Sequence, residues 1–333
     1  MTQLMNAYRF SKPSKGLEYT KVPVPVPEPD QVLVEVKASG LCHTDLNIIT
    51  GLDETFFWKR PITLGHEIAG VVVSTGSKVT KFKTGDRVVA IITNKHPIAI
   101  GDVINAAGLG CDGGFAQFAA LREEKTLLIP DAVTFAEAAV ATDAIATAYH
   151  AVVTEGQVSA SSKVAVVGLG GLGMSAIQIA ARIGARVHGF DIDRHKFATA
   201  LQLGAVVCGR SFDDLPGVKF DIVFDFVGTG STTAAAIKAV KPEGKVVLVG
   251  LSSKESTIDT HQLVSLGVRL VGSVGSSAKE VAETLQMIAE KQFTPLMEEI
   301  PFHKLPEGIE RLTQGNVVGR LYTDPSKLNE TGQ

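Results

Sequence analysis

His66 and Glu67 stand side by side in "ITLGHEIAGVVVSTGSKV", residues 62–79, just after a glycine and ahead of an apolar, β-branched run. An imidazole beside a carboxylate suits metal ligation or proton transfer. Zinc takes thiolate, imidazole and carboxylate ligands, and a catalytic zinc keeps one position open. Two further residues of the right type stand out. Cys42 lies in "GLCHTDLN", and Asp143 interrupts the otherwise apolar, alanine-rich run "TFAEAAVATDAIATAYHAVV" (134–153). Each has a plain structural alternative. A lone cysteine is usually an inert small residue, a lone histidine is often satisfied locally, and an acid in a helix can turn to solvent or to a hydrogen bond.

A second chemistry is written in "GLGGLG" (168–173), which fits G-x-G-x-x-G with Gly168, Gly170 and Gly173. It follows the strand-like "KVAVVG", opens a helical pattern and sits in a βαβ unit, the context that distinguishes a dinucleotide loop from a plain turn. The first glycine makes the turn, the second lets a pyrophosphate approach the backbone, and the third lets helix and strand pack closely. Asp191 ends the next strand, where an acid accepts hydrogen bonds from the adenosine ribose.

These residues need elements to hold them. The first 130 residues read as β-rich, with short runs at 31–40, 68–76, 85–92 and 113–123 punctuated by glycine. Residues 134–153 switch to a helical pattern that opens on Thr134 and Glu137, spaced as a capping box. From about residue 162, apolar strands (163–168, 186–191, 220–228, 245–250 and 268–275) alternate with helices, which predicts a parallel sheet covered on both faces. Helices are expected over 276–291 and 304–315. The spaced prolines of "VPVPVPEPD" (22–30) predict a stiff connector.

The totals bound the rest. A chain of 333 residues suggests two domains, and 45% hydrophobic against 20% charged residues allows a large core. A net charge of −3 argues against nucleic acid or an anionic membrane surface as partner. The sequence has no apolar run of transmembrane length and no signal-peptide layout at its start. Three cysteines, Cys42, Cys111 and Cys208, fit a reducing compartment, so a cytoplasmic protein is expected.

Taken together, the motifs carry a resemblance. The chain resembles the zinc-dependent alcohol dehydrogenases of the medium-chain dehydrogenase/reductase superfamily over nearly its whole length. "GHEIAGVVVSTGSKV" is similar to the family's zinc signature, "GLCHTDL" to its first-ligand loop, "GLGGLG" to its coenzyme loop, "DFVG" (225–228) to a nicotinamide-side loop, and "GR" (319–320) to a C-terminal coenzyme contact. The resemblance implies an α/β fold with a Rossmann coenzyme domain (145–278) inserted in a β-rich GroES-like catalytic domain (1–144 and 279–333). It implies one catalytic zinc held by Cys42, His66 and Asp143, with Glu67 beside the metal and able to ligate it transiently, and Asp45 orienting His66. Thr44 would receive the substrate proton, and His43 would continue its path beside the coenzyme pyrophosphate. NAD would be held by Gly168, Gly170, Gly171, Leu172, Gly173, Asp191, Lys196, Val227, Val249 and Arg320, with Arg320 at the pyrophosphate and Lys196 at the ribose. The activity implied is interconversion of a small alcohol with an aldehyde or ketone, in a homodimer or homotetramer joined through the strand "VRLVGSVG". Phe57 and Trp58 would wall the substrate pocket, or equally belong to the core.

One departure is visible. Many relatives carry four closely spaced cysteines that bind a second, structural zinc, whereas "NKHPIAIGDVINAAGLGCDGG" (94–114) holds only Cys111. That site is expected to be absent. The rival reading within the superfamily is a zinc-free, NADPH-dependent enone or quinone reductase, which Cys42, His66 and Asp143 together count against.

Overall fold

The computed structural model describes residues 3–52 and 60–327. Phe57 and Trp58 therefore lie outside the described residues. The chain divides into two compact units, Met1–Ala144 with Ser276–Gln333, and Ile145–Gly275. The second boundary falls three residues ahead of the expected 278/279.

The first unit opens on an antiparallel pair that the sequence pattern did not reveal, β1 (Leu4–Phe10) and β2 (Leu17–Pro23). Its main sheet is built on β3 (Gln31–Gly40), β4 (Glu67–Thr75), β5 (Arg87–Ala90), β6 (Phe118–Arg122) and β7 (Thr126–Leu128). Strands β3, β4 and β5 pair antiparallel in sequence, β7 extends the sheet beyond β5, and β6 lies along β3. Val32, Val34, Val36, Ile68, Val72, Val88, Ala119 and Leu121 bury one face of this sheet. Their alternation along each strand follows the period of the pleat.

Only residues 118–122 of the expected strand at 113–123 are a strand. The glycines before it have another task. Gly113, Gly114 and Phe115 donate backbone hydrogen bonds to Thr63, Gly65 and Leu64, so this stretch docks on the loop that carries His66.

Helix α1 (His43–Thr50) and the short α2 (Ile100–Ile104) also belong to this unit, as does α3 (Phe135–Val140). The predicted capping box of α3 is formed: Glu137 N donates to Thr134 Oγ1 at 3.2 Å and Thr134 N to Glu137 Oε2 at 2.9 Å. The single helix expected over 134–153 is instead broken. A π-helical segment, Ala141–Ile145, follows α3, and a short α4 (Ala146–Tyr149) and a second π segment, His150–Glu155, come after it. Asp143 sits in the first π segment, a widened turn that recurs at functional sites.

The second unit is a doubly wound sheet of β8 (Lys163–Val167), β9 (Arg186–Phe190), β10 (Ala205–Gly209), β11 (Phe220–Asp225), β12 (Val240–Leu248) and β13 (Arg269–Gly272). All adjacent pairs are parallel, in the order β10-β9-β8-β11-β12-β13. The order reverses between β8 and β11, the switch point where doubly wound sheets place their ligands. The connecting helices are α5 (Gly171–Ile183), α6 (Phe197–Gln202), α7 (Gly230–Ala239) and α8 (Thr260–Ser265). Strand β11 stops at Asp225, three residues short of the expected end. The Asp225 carboxylate accepts Val227 N at 3.0 Å and Gly228 N at 2.9 Å, turning the chain out of the sheet.

The chain then returns to the first unit with α9 (Ala278–Ala289), β14 (Met297–Glu299), α10 (Leu305–Thr313) and β15 (Arg320–Thr323). Strand β15 pairs with β3, Tyr322 opposite Gly40, and β14 pairs parallel with β15 to form the edge of the sheet on that side.

Candidate metal centre and coenzyme loop

Cys42 is the N-cap of α1, and the sequence explains why it is fixed there. Asp45, three residues on, accepts the Cys42 N–H at 3.0 Å through Oδ2 and closes a capping box. Its Oδ1 accepts Gly65 N at 3.1 Å. One fully buried carboxylate thus ties the loop of Cys42 to the loop of His66. The Oδ1 atom also faces His66 Nδ1, but at 3.6 Å, beyond hydrogen-bond reach. Asp45 therefore positions the two ligand loops more directly than it orients the imidazole.

Asp143 comes to the same point from its π-helical turn. The Cys42 thiol donates to Asp143 Oδ2 at 3.2 Å, and His66 Nε2 lies 3.7 Å from the same oxygen. Glu67 opens β4 beside them, fully buried. One ligand atom from each of Cys42, His66, Glu67 and Asp143 lies within 4.8 Å of the others. A thiol, an imidazole and a carboxylate collected in a buried place, with His66 Nδ1 lacking a hydrogen-bond partner, fit a zinc ion in their donor chemistry. The Thr44 hydroxyl is 3.5 Å from the Cys42 sulfur, and Thr44 N donates to that sulfur at 3.4 Å. His43 is exposed at the start of α1.

The contacts that the structure gives Arg320 lie with Glu67 and Asp143. The side chain is buried and ion-paired within its own unit. Nε donates to both Glu67 oxygens, at 2.9 and 3.1 Å, Nη2 contacts Glu67 Oε1, and Nη2 donates to Asp143 Oδ2 at 2.6 Å. The electrostatics follow. Burial raises the Asp143 carboxyl, but the neighbouring His66 imidazole and the Arg320 charge outweigh it and hold the group well below the usual carboxylate range. Burial lowers His66, yet Asp45 and Asp143 lift it well above the ordinary value. Burial pushes Glu67 up to about 7 against the pull of Arg320.

The lobe at 94–114 is closed by a side chain. Lys125 is buried, and its Nζ donates to Asp102 Oδ1 at 3.1 Å, to Asp102 O at 3.2 Å and to Ile92 O. Asp112 accepts Arg9 Nη1 at 2.6 Å and Thr63 N at 2.9 Å. The lobe is thereby fastened to the loop that leads to His66.

In the second unit the three glycines of the coenzyme loop serve three distinct needs. Gly168 has φ +91°, and a Cβ there would strike Val227. A Cβ on Gly173 would overlap Gly168 O, so helix and strand touch at this point. Gly170 is the N-cap of the 13-residue α5 and faces open space, without a side-chain cap. The N-terminal turn at Gly171 and Leu172 is therefore open to an anionic group.

Asp191 ends β9 with its carboxylate already oriented. Oδ2 accepts Leu169 N at 2.8 Å and Lys196 Nζ at 3.2 Å, and Oδ1 accepts Asp193 N at 2.9 Å. Gly168, Asp191, Lys196 and Val227 line one pocket of about 700 Å³. Val249 donates its N–H to Asp225 O at 2.9 Å and so flanks the loop at 225–228.

Sequence reasoning missed Ile192, Phe212 and Arg210 on the same pocket wall. A signal existed in Ile192, a large apolar residue that follows Asp191 and stays 81% exposed. It also missed Asp225, a buried acid that takes both loop amides and the hydroxyls of Thr232 and Thr233, each at 2.9 Å.

Comparison with known proteins agrees with both units. Residues 28–131 match the family described as alcohol dehydrogenase GroES-like domain, and residues 171–290 match the zinc-binding dehydrogenase family. The chain is 32% identical to an alcohol dehydrogenase of Geobacillus stearothermophilus, over 94% of this chain and 96% of that protein. It is 28% identical to NADP-dependent alcohol dehydrogenase C 1 of Mycolicibacterium smegmatis, over 97% and 99%. Among solved structures, acetophenone reductase from Geotrichum candidum in complex with NAD superposes with a TM-score of 0.88 at 32% identity, covering 97% of this chain and 98% of that one. On the doubly wound unit, the clustered ligand atoms and these matches, the chain belongs to the zinc-type alcohol dehydrogenases of the medium-chain dehydrogenase/reductase superfamily.

Proposed function

We propose that the protein interconverts an alcohol with an aldehyde or ketone, using one zinc ion per chain and NAD. The observation that carries the reading is the convergence of Cys42, His66 and Asp143 in one buried cluster beside the Thr44 hydroxyl. Zinc, when bound there, supplies a Lewis acid that lowers the pKa of a substrate hydroxyl. NAD supplies the hydride acceptor.

The protein's residues do the rest. Cys42, His66 and Asp143 would hold the metal and leave one position open. Asp45 fixes the two ligand loops against each other. Thr44 accepts the substrate proton at Oγ1, and His43, exposed on the next-earlier residue of α1, is the group to pass it outward. Gly168, Gly170 and the turn at Gly171–Gly173 bind the coenzyme pyrophosphate. Asp191, held by Leu169 N and Lys196, accepts from the ribose and favours NAD over NADP.

The reading includes a homodimer or homotetramer joined at the edge strand β13, where Leu270 is exposed, as is Val274 just beyond it. It also includes a cytoplasmic location, in keeping with the odd count of three cysteines, Cys42, Cys111 and Cys208. Among the described residues no helix is long and apolar enough to cross a membrane.

The test is elemental analysis of the purified protein beside a panel of primary and secondary alcohols and their carbonyls, with NAD and NADP. One zinc per chain together with NAD-dependent turnover is expected. A metal-free protein that reduces enones with NADPH would overturn the reading.

A further inference from the structure

Lys245 and Arg269 stand opposite each other on the parallel strands β12 and β13. Residues in register across two strands share a face, and like charges placed so destabilise a sheet. An acid between them would be the ordinary remedy. Among the described residues, every hydrogen bond that the two cations make goes instead to a backbone carbonyl. Lys245 Nζ donates to Glu155 O and, at 3.3 Å, to Gly156 O, and Arg269 Nη2 donates to Glu243 O at 3.4 Å.

We propose that the cleft beside this pair binds a tetrahedral oxyanion, a phosphate or a phosphomonoester, with Lys245 and Arg269 as its cations. The site lies wholly within the second unit, at the opposite end of the sheet from the coenzyme loop. Lys245 is level with Ile222 and Val164 at the start of β11 and β8, whereas Gly168 follows the end of β8.

Four observations carry it. First, there is room: a cleft of about 250 Å³ opens beside the pair, bordered by Gln157, Asp221, Lys241 and Glu243. Second, the charge is not balanced. Asp221 is spent, with Oδ1 accepting Lys241 Nζ at 2.6 Å and Oδ2 accepting Lys163 N at 2.7 Å. Glu243 meets Arg269 through its backbone oxygen and not its carboxylate. The Glu155 carboxylate turns to His150 Nε2, 3.4 Å away. Burial and the Arg269 charge lower the Lys245 pKa against the pull of Glu155, so an anion here would relieve a repulsion already present. Third, donors are left over. Lys245 is only 8% exposed, and its ammonium has three N–H groups for two carbonyls. The Arg269 guanidinium has five, a fork that matches a phosphate. Fourth, the backbone is strained at this cleft. Gln157 (φ +56°) and Glu243 (φ +62°) are two of the three non-glycine residues with left-handed backbone among those described. Such strain persists where a ligand is clamped.

The test is thermal unfolding of the full chain at constant ionic strength, titrated with inorganic phosphate or with glycerol phosphate, with and without excess NAD to fill the coenzyme loop. In the parent the midpoint is expected to rise by about 2 °C or more and to saturate, with or without NAD. Arg269→Gln and Lys245→Met are each expected to weaken phosphate binding about tenfold or more. Without phosphate, Arg269→Gln should unfold no earlier than the parent, because it removes the repulsion. Arg269→Lys, which keeps the charge, should keep part of the response.

A response that NAD abolishes belongs to the coenzyme loop and overturns the proposal. So does a response that both variants retain in full, or a parent that does not respond. If Lys245→Met does not fold, Arg269→Gln decides by the same readout. Tighter binding of the ester would assign the cleft to a phosphorylated small molecule, and equal binding to free phosphate; both uphold the oxyanion site.

Discussion

Replacing Asp191 by asparagine should convert a coenzyme preference into near indifference. The carboxylate is almost wholly buried, 9% exposed at its side chain, so solvent screens it little. A 2′-phosphate facing Oδ1 would bring two negative charges close to it. Lys196, 3.2 Å from Oδ2, offsets about one of them. One uncompensated unit-charge pair at about 4 Å is worth on the order of 4 kcal/mol at an effective dielectric near 20. At about 1.4 kcal/mol per decade, that is roughly a thousandfold preference for NAD. Asparagine keeps an acceptor for Leu169 N and removes the charge, which also frees the Lys196 ammonium to meet the phosphate. The ratio of kcat/KM for NAD and NADP should therefore fall by two to three decades (about 3–4 kcal/mol), mostly through gain with NADP. Asp191→Gly should narrow the preference too, but with weaker binding of both coenzymes because the turn at Leu169 loses its acceptor. The assay is initial rates with one alcohol under both coenzymes. Equal efficiency in the parent, or an unchanged ratio in Asp191→Asn, would refute the reasoning.

Other outcomes follow from the same geometry. Asp143→Ala should lose bound zinc and alcohol oxidation while NAD still binds through residues 168–191; Asp143→Cys should keep the metal, and elemental analysis with coenzyme titration separates these effects. Thr44→Ala should retain zinc and coenzyme but lose about 10²–10⁴-fold in turnover, whereas Thr44→Ser keeps much of it; equal rates for the two would make Thr44 a packing residue. Lys125→Met removes a buried ammonium with three acceptors and should destabilise the first unit by about 2–3 kcal/mol, read as a lower urea midpoint. His188 is buried with Nδ1 unpartnered, and burial lowers its pKa. The unfolded chain therefore binds the proton first, so stability is full above about pH 6.5 and declines as pH falls below it. His188→Leu should flatten that slope in denaturation curves taken between pH 7 and 5.

The doubly wound unit was largely legible because its physics is local. A buried parallel strand must be apolar throughout, and the loop after it must be glycine where φ is positive or a helix backbone touches, as at Gly168 and Gly173. The ligand set came from the resemblance, and the π-helical turn that carries Asp143 left no trace in the alanine-rich run around it. Propensity cannot distinguish a wide turn from a regular one when every neighbour is small. Helix α1 was hidden for a different reason. Its N-cap is Cys42, a poor capping residue by type, and the cap works because Asp45 completes the box and reaches Gly65 as well. The pairing of Arg320 with Glu67 joins residues 253 positions apart in sequence, and no local pattern can announce it.

The lobe closed by Lys125 differs in kind from one closed by a metal. Its cation is covalently part of the chain, present from synthesis onward, and no chelator, competing ion or shortage of supply can take it away. Oxidants that would attack a cluster of thiolates find only Cys111 in residues 94–114. The lobe that docks on the His66 loop thus keeps its shape whether or not the catalytic metal has been loaded.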